Sequence, residues 1–253
     1  MASTIVPQSA PILPFYEDWS FWIMAVSVLA LILSQLPPVH RWFRRSRLDL
    51  EVHPRIVLSH KVGNPNVQFH LIISNSGGRD VRITDMSLKM TREDSVSFDL
   101  PAKNYYLSSD LKTSLLMTPF RLRPEQDWSH HVDFLEYFNR ADDRRYRDLE
   151  SALRSDIQTK LSQNPEVRVE AAPENVAPLM EIFQDKFVWE PGEYSFELSV
   201  ESDRVSAKRS YRFSIFESES AEMKGVTAEY KFGFGIFLKH EMQSFFGFDI
   251  KEI

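Results

Sequence analysis

The chain of 253 residues contains no cysteine. That single absence removes disulfides, thiolate metal sites and thiol catalysis together, and leaves no residue that would report an oxidising compartment. An excess of basic charge is also missing. The net charge is -6 and the pI is near 5.7, which argues against a protein that grips nucleic acid through bulk electrostatics. The patterns G-x-x-x-x-G-K-S/T, G-x-G-x-x-G, G-x-S-x-G and H-E-x-x-H do not occur. Nucleotide, dinucleotide, serine-hydrolase and zincin chemistries therefore lack their local signatures. No catalytic residue, cofactor site or metal ligand is assigned, and nucleic acid is not expected as a partner. Finally, no Lys or Arg precedes Arg41, a one-sided distribution that matters for topology.

What is present begins with an uncharged apolar run from Trp19 to Leu36. As a helix it would measure about 27 Å, close to the hydrocarbon core of a bilayer. Phe15, Tyr16, Trp19 and Trp22 gather at one end and Trp42 with Phe43 at the other, where amphipathic rings favour the headgroup region. Pro37 and Pro38 stop the helix. A secretory signal would need positive charge before the run and a small-residue cleavage site after it, and neither is present. The run is thus predicted to be a single transmembrane helix. Arg41, Arg44, Arg45 and Arg47 follow it, whereas Glu17 and Asp18 precede it. Basic flanks stay in the cytoplasm, so the reading is a single-pass protein of the plasma (inner) membrane, N-terminus outside and C-terminal domain inside. The same arginines also suit an anionic lipid surface.

This divides the chain into a tail over 1–18, a transmembrane helix over 19–36, a basic linker over 37–47, a domain over 48–218 and an aromatic segment over 219–253. In the domain the hydrophobic period is two: Leu48, Leu50 and Val52, then Val67, Phe69, Leu71 and Ile73, alternate with polar residues, as in half-buried strands. Lys61 to Asn66 and Asn75 to Arg79 carry turn chemistry. Val81 and Ile83 have opposite parity to Met86, Leu88 and Met90, so a bulge near Thr84 and Asp85 is predicted. Val96, Phe98 and Leu100 alternate again. After the turn Glu190 to Gly192, the sets Tyr194, Phe196, Leu198, Val200 and Tyr211, Phe213, Ile215 form a hairpin. Short strands with turns of this kind predict an antiparallel sandwich rather than a parallel α/β sheet.

A helical insertion is predicted over about 128–186. Tyr146, Leu149, Leu153, Ile157 and Leu161 are spaced by three and four, as on a helix that buries one stripe, and Asn164 with Pro165 ends it. Residues Ala177 to Gln184 suit a second, shorter helix. Such an insertion either forms a binding surface or covers a sheet edge. His130 and His131 are adjacent and so point to opposite faces of a strand, which disfavours a shared metal. Asp142 and Asp143 suit the helix N-terminus.

The stretch FHLIISNSGGRDVRITDMSL, Phe69 to Leu88, resembles bacterial membrane-anchored proteins with an immunoglobulin-like β-sandwich: a strand ends in Asn-x-Gly and a Val-x-Ile strand follows. The stretch WEPGEYSFELSV within Phe187 to Phe216 is similar to the paired late strands of such domains. The resemblance implies an immunoglobulin-like sandwich, transfers no catalytic residue, and implies binding, spacing or assembly as the mode of action.

In the C-terminal segment, Phe234, Phe237, Leu238, Met242 and Phe245 would share one face of an amphipathic helix. Alternatively, the segment completes the sandwich as an irregular strand. The functional expectation is a membrane-tethered interaction or assembly module with the bilayer and a protein as partners, self-association into a homo-oligomer being a second kind of partnership. Arg144, Arg145 and Arg147 on the insertion and Phe234, Phe237 and Phe245 in the aromatic segment are the candidate contact residues, with Trp19, Trp22, Arg41, Trp42, Arg44, Arg45 and Arg47 at the membrane interface. A membrane-linked sensor or effector of a defence or stress system, and an enzyme with a convergent site, are the alternatives.

Overall fold

The structure is a computed structural model that describes residues 19–35, 45–94, 96–107, 113–163, 168–238 and 245–253. The chain divides into two units, residues 1–44 and 45–253. In the first, helix α1 spans Trp19–Gln35, 17 residues or about 26 Å at the usual helical rise. Among the described residues no helix is long and apolar enough to cross a membrane. The transmembrane span expected over Trp19 to Leu36 is therefore not found. Arg41, Trp42 and Arg44 lie outside the described residues.

The second unit opens with β1 (Leu48–Val52), β2 (Arg55–Lys61), β3 (Asn64–Asn75) and β4 (Val81–Arg92). Then come β5 (Ser97–Tyr106), β6 (Ser114–Leu116), β7 (Phe120–Leu122) and β8 (Asp127–Leu135). Helices α2 (Arg140–Gln163) and α3 (Pro173–Lys186) follow, then the hairpin β9 (Gly192–Ser202) and β10 (Ala207–Ile215). Helix α4 (Glu217–Gly225), a 3-10 turn (Val226–Phe232), β11 (Phe246–Asp249) and β12 (Lys251–Glu252) complete the unit.

All strand pairings among the described residues are antiparallel, along the path β11-β2-β3-β8-β5-β4-β9-β10-β12. Strand β5 joins the two halves of this path. Its residues up to Pro101 pair with β4, those from Ala102 pair with β8, and an irregularity between Ala102 and Asn104 makes the turn from one layer to the other. The far ends also meet: Phe246–Asp249 pairs with β2 and Lys251–Glu252 with β10, with only Ile250 between them. The second unit is thus a barrel-like antiparallel sandwich, closed by β5 on one side and by residues 246–252 on the other. The predicted bulge is present as a register shift between Ile83 and Asp85.

Between the layers, Phe69 stacks on Phe134 at 4.9 Å and on Phe196 at 6.1 Å, and Phe196 stacks on Tyr211 at 5.2 Å. Each fully buried ring of this size contributes about 1.5–3 kcal/mol through apolar burial. A second core lies under the helices, where Tyr146, Leu153 and Ile157 of α2 meet Leu179, Ile182 and Phe183 of α3 and Val62 of the β2–β3 turn. Gly63 is required there. Its φ is +84°, and a Cβ at that position would lie 2.5 Å from the carbonyl oxygen of Phe183.

Two boundaries differ from those predicted. Residues 127–135 belong to the sheet, between β3 and β5, so the helical insertion begins after Leu135 rather than at Trp128. Here Trp128, His130, Val132 and Phe134 lie opposite core residues Ile73, Leu71, Phe69 and Val67; the histidine at an inward position hid the alternation. Leu161 is exposed, so the buried stripe of α2 ends at Ile157.

Candidate functional site

The polar positions of β2, β3, β8 and β5 that point away from the sandwich core form the floor of a cleft of about 890 Å³. Strand alternation puts them there: with Val67 and Phe69 turned inward, Asn66 and Gln68 must face outward, and the register places Asp133 opposite both Gln68 and Asn104. The start of α2, the loop around Ile236 and the Phe245–Phe246 step form the walls. A volume of this size falls in the range of small-molecule sites.

At the floor Gln68 donates from Nε2 to Asp133 Oδ1 at 2.8 Å, and Tyr106 donates its hydroxyl to Asp133 Oδ2 at 3.0 Å. Gln68 and Asp133 are each only 6% exposed. Burial raises the Asp133 carboxyl above the ordinary aspartate range, although both hydrogen bonds pull the other way. Burial, followed by the neighbouring Asp133 charge, pushes the Tyr106 phenol up to about 12. No cationic side chain among the described residues pairs with Asp133. Lys61 instead sits 4.6 Å above the Tyr146 ring, and Arg147 pairs with Asp143 at 2.9 Å. Asn66 Oδ1 is buried in the same floor and has no hydrogen-bond partner among the described residues.

His60 also lines the cleft. Its Nδ1 accepts from the Gly63 amide at 3.2 Å, which leaves Nε2 to donate to the Met223 carbonyl at 3.1 Å. The ring is thereby held neutral, and burial lowers its pKa. His130 and His131 lie on opposite faces: His130 packs beside Trp128 and Tyr105, His131 beside His70 at 4.9 Å. Among the described residues no group of His, Asp and Glu is arranged to hold a metal ion.

The cleft gathers three of the residues selected from sequence, Arg147, Phe237 and Phe245, and leaves out Arg144, Arg145 and Phe234. Arg144 is exposed on α2 and Arg145 pairs with Glu181 at 2.9 Å. The helical face expected for Phe234, Phe237 and Phe245 does not form over the described residues 234–238, because the 3-10 turn stops at Gly233 with φ +84°; Met242, also expected on that face, lies outside the described residues. Arginines cover two of these rings instead, Arg154 at 5.0 Å from Phe237 and Arg168 at 5.9 Å from Phe234. Trp19 and Trp22 are exposed on α1. Arg45 offers its carbonyl to the Gly78 amide, and Arg47 pairs with Asp49 at 3.2 Å.

Asn66, Gln68, Tyr106 and Asp133 were not singled out by sequence reasoning. An acid at an outward strand position reads as solvated, and only the helical layer folded over it makes it buried. Comparison with models of known protein families finds no match, and comparison with curated proteins finds none either. The functional reading therefore rests on the geometry.

Proposed function

We propose that this chain is a membrane-associated interaction module, in which α1 holds an immunoglobulin-like sandwich at the cytoplasmic face of the plasma (inner) membrane and the sandwich with its helical layer binds a protein partner. The observation that carries the reading is the surface of α1. Trp19, Ile23, Val26 and Leu31 are each more than 60% exposed, and Met24, Leu29 and Ile32 extend the apolar surface around the remaining sides. A helix apolar all round belongs in a protein interior or in lipid. Of its three serines, Ser27 donates its hydroxyl to the Ile23 carbonyl at 2.8 Å and Ser34 to that of Leu31 at 2.7 Å, the internal pairing that lipid requires.

The immunoglobulin-like part of the proposal is supported by Tyr194. Near the start of β9, its hydroxyl reaches back to the Glu190 carbonyl at 2.7 Å and the Val188 carbonyl at 2.9 Å and gives its one proton to one of them at a time, an arrangement like the tyrosine corner of such sandwiches. Partner binding is assigned to α2, whose Arg144, Arg145 and Arg147 are exposed and can steer association.

Cell fractionation tests the anchor. The full chain should sediment with membranes and a chain lacking residues 1–44 should not, while a reporter after Ile253 should be active in the cytoplasm. A full chain recovered as a monodisperse species without detergent would overturn the reading. For the partner, crosslinking in membranes should yield an adduct that the triple variant Arg144→Glu, Arg145→Glu, Arg147→Glu loses. An adduct unchanged by this variant would remove α2 from the interface.

A further inference from the structure

The cleft floor has acceptors in excess of donors, and they are arranged around one buried charge. An ionised carboxylate offers about four lone-pair positions. Asp133 uses two of them, for Gln68 and Tyr106. Asn66 Oδ1, on the same face of β3 as Gln68, is buried with no donor among the described residues. Among the described residues, the Lys and Arg side chains that line the cleft are engaged elsewhere, Lys61 on the Tyr146 ring and Arg147 on Asp143. A buried carboxylate without a cation and a buried amide oxygen without a donor are each costly, and both costs are relieved by one positively charged donor. Above the floor the walls are aromatic: Tyr137, Phe138, Phe237, Phe245 and Phe246, surfaces that favour both an apolar body and a cation.

We infer that this cleft is a binding site for a small organic amine, whose ammonium group donates to Asp133 and to Asn66 Oδ1 while its apolar or aromatic body lies against the phenylalanine walls. Anionic ligands are disfavoured there because Asp133 would repel them across a poorly solvated gap. A neutral ligand of the same shape would fill the walls and leave the carboxylate unpaired. The inference does not depend on membrane association, since every residue it uses lies in the unit 45–253.

The test uses the full chain in detergent and titration calorimetry with 2-phenylethylamine, 2-phenylethanol and phenylacetate. The amine should bind about tenfold or more tightly than the alcohol, the difference a charge-assisted hydrogen bond makes, and phenylacetate should bind most weakly. Asp133→Asn should bring the amine down to the level of the alcohol and leave the alcohol unchanged. In the unaltered chain, amine affinity should fall as the pH is lowered through the range in which Asp133 takes up a proton, while alcohol affinity stays flat. This measurement decides the matter even if Asp133→Asn fails to fold. An amine that binds no better than the alcohol, including binding by neither, or amine affinity independent of pH in that range, overturns the assignment.

Discussion

Tyr106 of β5 and Gln68 of β3 reach the two oxygens of one carboxylate, Asp133 of β8, at 3.0 and 2.8 Å. Three neighbouring strands are thereby tied together on the side of the sheet that faces the helices, where water would ordinarily solvate an aspartate. The consequence is a carboxyl whose charged form is disfavoured by burial and only partly rescued by its two donors.

The pH dependence of stability should carry that signature. Because the folded-state pKa of Asp133 is raised above its ordinary value by burial, folded protein holds the proton more tightly than unfolded chain. This contribution to stability is fully present below the ordinary aspartate range and is lost as pH rises through the raised folded value. Melting temperatures of the wild type and Asp133→Asn, followed from acid to neutral pH, should show the wild type losing ground to the variant as pH rises. A constant difference would mean that the carboxyl titrates as if exposed.

At the β2–β3 turn, Gly63→Ala should destabilise by about 1 kcal/mol or more, since the residue must keep a positive φ and the new methyl group meets the Phe183 carbonyl. The damage should be local to the second core. Hydrogen exchange should show lowered protection in α3 and little change in the β9–β10 hairpin; loss of protection spread evenly over both would separate the turn from the helical layer.

Removal of residues 246–253 should leave β2 and β10 unpaired along one side, and the truncated chain should aggregate through those edges. The buried rings make the same point more gently: Phe248→Ala should cost about 3–5 kcal/mol in chemical denaturation, because Phe248 is 5% exposed and packs on Phe213 at 5.8 Å. Phe245→Ala, at an exposed ring, should change stability by no more than about 0.5 kcal/mol. Equal effects at both positions would contradict the closure.

Much of this architecture is legible in the sequence because strand parity is a local property. The change of parity between Ile83 and Met86 announces the bulge, the 190–192 turn announces the hairpin, and Asn75, whose amide donates to the carbonyls of Arg79 and Leu122, announces the turn that follows β3. Strand β8 was missed because a histidine stands at an inward position and an aspartate at a buried outward one. The cleft was illegible for a related reason: whether Asp133 meets water depends on residues of α2 and the C-terminal segment, which are remote in sequence. For α1 the composition of the run suggested a span, whereas among the described residues no helix is long and apolar enough to cross a membrane.

The meeting of Phe246 with Leu58 also has a temporal side. These partners are made at opposite ends of the domain's synthesis, so the strand that seals the barrel leaves the ribosome after every other strand it joins. Until then β2 and β10 wait with open edges, and the loop that must close is nearly the whole domain, a topology associated with slow folding. The nascent domain therefore has an interval in which pairing with another chain competes with its own last strand. A chaperone or a second nascent copy that reached those edges first would determine whether the barrel closed on itself.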